Sequence, residues 1–131
     1  MDLMEIKQTE EKTFSIEVRN HKIISDMHKE DGGSDAGMNP LELMVGALCA
    51  CIGLKLQQYC RAHDLPSEGI VVNAVTTIAP NPVRISNIAI DLTLPEGFPE
   101  EKREVAMRVA HTCPIHATLK NPPEVDIDIV S

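Results

Sequence analysis

Apolar residues form two kinds of pattern along the chain. In five segments they alternate with polar residues or are rich in β-branched types, which is typical of β-strands. These segments are 14–18, 22–27, 70–78, 83–94 and 125–129. Residues 1–11 are polar, and we expect them to be frayed or a weak first strand. The alternation changes phase near Ser86 and Asn87, which predicts a bulge in the fourth segment.

The segment 39–62 has a different pattern, because most of its first two-thirds is apolar. Asn39 suits the N-cap of a helix, Pro40 suits its first position, and Glu42 completes the spacing of a capping box. No residue from 43 to 54 is charged or strongly polar. That run is shorter than the roughly 20 apolar residues that cross a bilayer. We therefore expect a helix buried on all sides inside a soluble assembly.

A second, amphipathic helix is predicted from Pro99, with Val105 and Val109 on its apolar face. Pro114 must interrupt it, and residues 114–119 are expected to form one more helical turn. The resulting order is β-β-α-β-β-α-β, an α+β fold with largely antiparallel pairing in a single domain over residues 1–131.

Two expectations follow from this layout. Five strands and one amphipathic helix can cover only one side of the apolar helix, so we expect a second copy of the chain to cover the rest in a homodimer. The segment 28–38, rich in Gly, Asp and Ser, is expected to be a flexible loop that leads into the apolar helix and lies near any active site.

Charge and cysteine content limit the function further. The formal net charge of -8 argues against nucleic acid or an anionic membrane surface as a partner. The charged N-terminus has no apolar signal region, so a cytoplasmic location is expected. Four cysteines are few for a disulfide scaffold, and in the cytoplasm they are free, metal-bound or redox-active.

Two motifs resemble the OsmC/Ohr family. The first is GGSDAGMNPLELMVGALCACIGLKL and the second is AHTCPIHATLKNPPEVDIDI, in the order and spacing of that family. The resemblance covers nearly the whole chain. It implies an OsmC-like fold, in which an antiparallel sheet wraps around a long central helix in an intertwined homodimer. It also implies a thiol peroxidase that reduces organic hydroperoxides and protects against oxidative stress.

The resemblance also implies roles for two cysteines. The helical cysteine of the family falls on Cys51, the peroxidatic residue, and the cysteine of its Cys-Pro motif falls on Cys113, the resolving residue. A thiolate that attacks the O–O bond becomes a sulfenic acid, which a second thiol converts to a disulfide. The family's better-known members use a dithiol or lipoyl-type reductant, and no cofactor is implied.

The reactivity of Cys51 requires a nearby cation, because burial in apolar surroundings makes a thiol inert. Arg19 and Arg84 are the candidates. The best-characterised peroxidases of the family carry a glutamate where this chain has Leu41. We further predict that the Cα atoms of Cys51 and Cys113 lie within about 7 Å or slightly beyond, and that a helix dipole lowers the pKa of Cys113.

Other readings of the same residues stay open. The protein is alternatively a non-catalytic OsmC-like relative that binds a small apolar or thiol-containing ligand at the dimer interface. Without the family resemblance, Cys51 is best interpreted as a small buried hydrophobe. Zinc bound by Cys113, Cys51 and a flanking histidine is a weaker alternative, because close Cys-x2-Cys pairs are missing. Cys49 and Cys60 face other sides of the helix and are expected to be structural.

Overall fold

The computed structural model describes residues 2–130. Its strands and helices, in chain order, are β1 (Glu5–Glu10), β2 (Thr13–Val18), β3 (His21–Ser25), α1 (Pro40–Ala62), β4 (Val71–Ala79), β5 (Arg84–Thr93), α2 (Arg103–Ala110) and α3 (Pro114–Lys120). Single turns of 3-10 helix lie at Lys29–Asp31 and Glu100–Lys102. The α+β class and the antiparallel hairpins are confirmed.

Two compact units make up the chain, Met1–Gly46 and Ala47–Ser131. The single domain over residues 1–131 therefore stays a prediction. In the first unit β1, β2 and β3 form an antiparallel sheet in that order. Ile16 on β2 lies opposite Ile6 on β1 and Ile23 on β3, so one face carries a row of β-branched residues. The polar N-terminal segment thus does form a strand.

Residues 28–38 are packed closely against β3 and the residues that follow it, and the flexibility expected of this segment stays a prediction. A Cβ atom on Gly37 would lie 2.1 Å from the carbonyl oxygen of Ile24, and one on Gly33 would lie 2.1 Å from that of Met27. Only glycine permits these close approaches.

The start of α1 follows the predicted capping box. The Asn39 N–H donates to Oε1 of Glu42, and the Glu42 N–H donates to Oδ1 of Asn39, both at 2.9 Å. Two backbone donors that no helical carbonyl can reach are satisfied in this way. Glu42 therefore has the structural role that its spacing predicts.

The second unit contains the β4–β5 hairpin and the predicted bulge. Thr77 pairs with Asn87 and Ile78 pairs with Ile85, so Ser86 is the extra residue on β5. This extra residue explains the phase change in the sequence, because it moves the following side chains to the other face.

The end of α1 is a Schellman motif. The Leu65 N–H donates to the Cys60 carbonyl at 2.8 Å, and the Asp64 N–H donates to the Arg61 carbonyl at 3.4 Å. Asp64 has a φ of 55°, the left-handed conformation that this motif requires and that glycine adopts most readily.

The core of the second unit is formed by one face of α1 and the small residues of α2. Its buried members are Leu48, Ile52, Leu56, Ala106, Ala110 and Cys113. Alternate residues of β5, namely Ile88, Ile90 and Leu92, pack against it. Leu56 is fully buried, which contributes about 1.5–3 kcal/mol relative to an exposed side chain.

Residues 125–129 do not form the predicted strand. The segment 122–130 has no regular structure, and Val125, Ile127 and Ile129 are between 77% and 92% exposed. An alternating sequence becomes a strand only when a neighbouring strand accepts its hydrogen bonds, and none of the described strands pairs with this segment.

By length and composition, α1 is apolar and long enough to cross a membrane, and it is the only such helix within residues 2–130. The uncharged run 43–54 is too short to cross a bilayer, but the whole helix has 23 residues and is long enough. The core helix of a soluble protein passes the same test, which makes this weak support for a membrane span.

Candidate redox site

Cys113 occupies the junction between α2 and α3. It is the N-cap of α3, with an extended backbone of φ -60° and ψ 128°, and Pro114 is the first residue of that helix. A residue before proline is pushed out of the helical conformation, so Pro114 fixes the break at Cys113. The predicted interruption and the additional helical segment after it are both confirmed.

The thiol of Cys113 is fully buried. Its Sγ accepts a hydrogen bond from the His116 N–H at 3.4 Å and lies 4.0 Å from the carbonyl oxygen of Leu48 on α1. Cys51, also on α1, is half-buried and packs against the core that contains Cys113. Cys51 is also among the groups that raise the pKa of Cys113, which is consistent with neighbouring thiols. The structure therefore brings together the two cysteines that the sequence singled out.

The pKa of Cys113 is raised, so the prediction that the helix turn lowers it is wrong. Burial has the largest effect, and the neighbouring Cys51 raises the pKa further. The N–H groups of His116 and Ile115 act in the predicted direction, but they do not outweigh burial. Cys113 consequently holds its proton at neutral pH.

The two candidate arginines have other contacts. Arg84 donates from Nη1 to the carbonyl oxygens of Pro80 and Pro82, each at 3.0 Å, and so closes the β4–β5 turn. Arg19, in the turn between β2 and β3, forms an exposed ion pair with Asp2 at 4.0 Å. Within residues 2–130, no basic side chain is among the groups that shift the pKa of Cys113. A cation beside Cys51 stays a prediction.

The other two cysteines, Cys49 and Cys60, lie on α1, and His111 and His116 flank Cys113 in the sequence. Cys60 is fully buried and Cys49 half-buried, and burial raises the pKa of both thiols. The rings of His111 and His116 lie 5.6 Å apart. No group of three metal-ligating side chains is found in the described part of the chain, so the zinc alternative gains no support.

Sequence reasoning missed the backbone groups at the site. The Leu48 carbonyl and the His116 N–H both contact the Cys113 sulfur, and neither is a property of a side chain. The available signal was the Cys-Pro pair, because proline at the first helical position leaves the preceding residue as N-cap.

Comparison with known families agrees with the two motifs. The profile described as OsmC-like protein matches residues 32–128, most of the chain, including both Cys51 and Cys113. The chain belongs to the OsmC-like family. A sequence comparison of this OsmC-like protein with curated proteins gives no significant match.

Solved structures with the same fold include three from different bacteria. A candidate osmotic stress induced and detoxification response protein from Psychrobacter arcticus 273-4 aligns with a TM-score of 0.83 and 19% identity, over 90% of this chain and 88% of that one. An OsmC-like protein from Mycoplasma pneumoniae aligns with a TM-score of 0.78 and 18% identity, over 93% and 89%. An organic hydroperoxide resistance protein from Elizabethkingia anophelis aligns with a TM-score of 0.68 and 19% identity, over 92% and 91%. At such identities the likeness shows the fold.

Proposed function

We propose that this OsmC-like protein is a cytoplasmic thiol peroxidase that reduces organic hydroperoxides, with Cys51 as the peroxidatic and Cys113 as the resolving cysteine. The observation that carries the proposal is that Cys51 packs against the buried core that contains Cys113, where it also raises the pKa of Cys113. Family membership and the organic hydroperoxide resistance protein among the structural relatives support the substrate class.

The reaction has two chemical steps. The Cys51 thiolate attacks the distal oxygen of the hydroperoxide, the O–O bond breaks, and the alkoxide takes a proton to leave as an alcohol. Cys51 is then a sulfenic acid. The Cys113 sulfur loses its proton and attacks the Cys51 sulfur, the S–O bond breaks, and water leaves as the disulfide forms. The hydroperoxide is reduced by two electrons, which the two thiols supply.

An external dithiol must reduce the disulfide to restore both thiols. A dithiol or lipoyl-type group fits, because it attacks one sulfur of the disulfide and then closes its own ring, which releases both cysteines. The half-buried Cys51 is the more accessible of the two sulfurs, since Cys113 is fully buried. The reductant is therefore expected to attack at Cys51.

The activating cation stays a prediction, with Arg19 and Arg84 as its candidates. Both hydrogen bonds of Arg84 are made within its own turn, so we expect Arg84→Gln to disrupt the hairpin and lower stability.

A homodimer is part of the proposal. Leu54 on α1 is 56% exposed, and Val75 on β4 is 74% exposed. The C-terminal segment adds four exposed apolar side chains, Val125, Ile127, Ile129 and Val130. A second copy of the chain that covered these side chains would remove them from water. Sedimentation velocity at micromolar concentration is expected to give a dimer, and a monomer there would contradict it.

Non-catalytic binding of a small apolar or thiol-containing ligand is the second candidate. Two observations favour it: the raised pKa of Cys113, and Leu41 at the position where the family's known peroxidases carry a glutamate. A binder would use the same apolar surface without oxidising either cysteine.

Thiol counting distinguishes the two functions. The reduced protein is treated with a small excess of cumene hydroperoxide or hydrogen peroxide, and free thiols are counted after denaturation. The peroxidase loses two thiols per chain, and faster with cumene hydroperoxide. Unchanged thiols with both oxidants would reject the peroxidase and leave the binder.

Matched serine variants assign the two thiols. Cys51→Ser is expected to abolish the loss of thiols, and Cys113→Ser to leave a sulfenic acid at Cys51 that dimedone traps. Cys49→Ser is the control, because Cys49 is also half-buried and lies on the same helix. A Cys49→Ser protein that no longer reacts would contradict the assignment.

A further inference from the structure

Asp26, the residue after β3, carries a carboxylate that the proposed peroxidase reaction does not use. Only 1% of the residue is exposed, yet within the described residues it forms no ion pair. A buried charge without a counter-ion is costly unless hydrogen bonds replace its lost hydration. The partners of Asp26 therefore have to be donors of hydrogen bonds.

Four donors meet this carboxylate. Oδ1 accepts from the Met27 N–H at 2.7 Å, and Oδ2 accepts from the Thr13 hydroxyl at 3.0 Å. Oδ2 also accepts from the backbone N–H groups of Ser34 and Ala36, each at 3.2 Å. The carboxylate thus joins strand β2 to the middle of the glycine-rich segment 28–38.

The same segment is shaped to fit around the carboxylate. Asp35, between the two donating residues, has a φ of 53°, so the N–H groups of Ser34 and Ala36 converge on one oxygen in a concave anion-binding nest. The Asp35 N–H itself donates to the Met27 carbonyl at 3.0 Å. Gly33 and Gly37 flank this nest, at the two positions where a Cβ atom would collide with the backbone of the chain near β3. The Ser25 hydroxyl donates to the Met38 carbonyl at 2.9 Å and holds the far end of the segment.

Charged side chains contribute little to this site. Burial raises the pKa of Asp26, but the four hydrogen bonds together lower it below the ordinary value of 3.8. Lys12 donates to a backbone carbonyl, and the ring of His28 lies 3.5 Å from the Asn39 amide. Neither they nor the exposed Asp35 are among the groups that shift the pKa of Asp26.

We propose that Asp26 is a latch: its charged carboxylate holds the segment 33–37 closed against the end of β3, and loss of that charge opens the segment while the three-stranded sheet stays folded. A protonated carboxyl cannot accept from all four donors, because one oxygen then carries a proton of its own. The proposal concerns the first unit alone and does not depend on peroxidase activity.

The sign of the pH dependence follows from the direction of the shift. Because the folded protein lowers the pKa of Asp26, its contribution to stability is complete above 3.8 and is lost as the pH falls through the folded pKa. The latch is therefore closed at neutral pH and opens only in acid.

A pH titration of the full-length, wild-type protein by amide NMR tests the latch. The amide protons of Met27, Ser34 and Ala36 are expected to shift together with one midpoint below pH 3.8. Amides of the β2–β3 ladder are expected to keep their native shifts through that midpoint. A midpoint at or above 3.8, separate midpoints, or loss of the ladder in the same step would overturn the proposal.

Two matched variants test the charge at neutral pH. Asp26→Asn is expected to lower the hydrogen-exchange protection of the Ser34 and Ala36 amides at least ~10-fold, because it removes charge-assisted hydrogen bonds. Asp35→Asn removes a charge from the same segment, at an exposed residue that tolerates a positive φ, and is expected to leave protection unchanged. Unchanged protection in Asp26→Asn would overturn the latch. If that variant does not fold, the wild-type titration decides the question.

Discussion

Because the thiol of Cys113 is buried, we expect the rate at which the Cys51–Cys113 disulfide forms to depend on pH. The resolving step requires the thiolate of Cys113. A thiol with the ordinary pKa of 9.0 is about 1% ionised at pH 7, and burial together with Cys51 makes Cys113 less ionised than that. Below its pKa the thiolate fraction rises tenfold per pH unit. The rate of closure is therefore expected to rise roughly 100-fold from pH 6.5 to 8.5.

The two steps can be measured separately. The protein is oxidised with one equivalent of cumene hydroperoxide, quenched with acid at intervals, and the disulfide is followed by mass spectrometry. Cys113→Ser stops at the sulfenic acid and gives the pH dependence of the first step alone. If closure in the wild-type protein has the same rate at pH 6.5 and 8.5, Cys113 is already ionised at pH 6.5 or does not ionise before it attacks. Either result would refute the argument from burial.

Three substitutions test the fold around these sites by urea unfolding. Gly37→Ala is expected to cost at least about 2 kcal/mol, because its Cβ would lie 2.1 Å from the Ile24 carbonyl oxygen; a smaller cost would show that the segment is looser than described. Leu56→Ala is expected to cost about 2–5 kcal/mol, since this side chain is fully buried; a cost below 1 kcal/mol would contradict its place in the core. Asp64→Gly is expected to stabilise by about 0.5–1 kcal/mol and Asp64→Ala to give no gain, because only glycine relieves the positive φ.

Local patterns predicted most of the secondary structure correctly. The capping box at Asn39 and Glu42 marked the start of α1, and the phase change marked the bulge at Ser86. Pro114 marked the break between α2 and α3. Each of these signals involves only a few neighbouring residues, so it can be recognised from the sequence alone.

Predictions that depend on distant residues were less successful. The segment 28–38 has the composition of a loose loop, and only the fold reveals that Asp26 anchors it. The alternating residues 125–129 have the right pattern for a strand, but none of the described strands pairs with them. The direction of the Cys113 pKa depends on how deeply the thiol is buried, and a motif does not encode that.

The pairing of Cys51 with Cys113 could be predicted only from the family resemblance. Sixty-one residues lie between them in the sequence, and no local pattern connects α1 with the α2–α3 junction. The structure supplies that connection through the shared core of Leu48, Ile52 and Cys113. The activating cation was predicted from chemistry alone, and its position stays a prediction.

The central claim is tested most directly by mapping the disulfide. The reduced protein is treated with one equivalent of an organic hydroperoxide, alkylated at low pH and digested without reduction. The account predicts one major cross-linked peptide, joining Cys51 to Cys113 within a single chain, that disappears after treatment with a dithiol. A disulfide through Cys49 or Cys60, or a protein with four alkylated cysteines after this treatment, would contradict it.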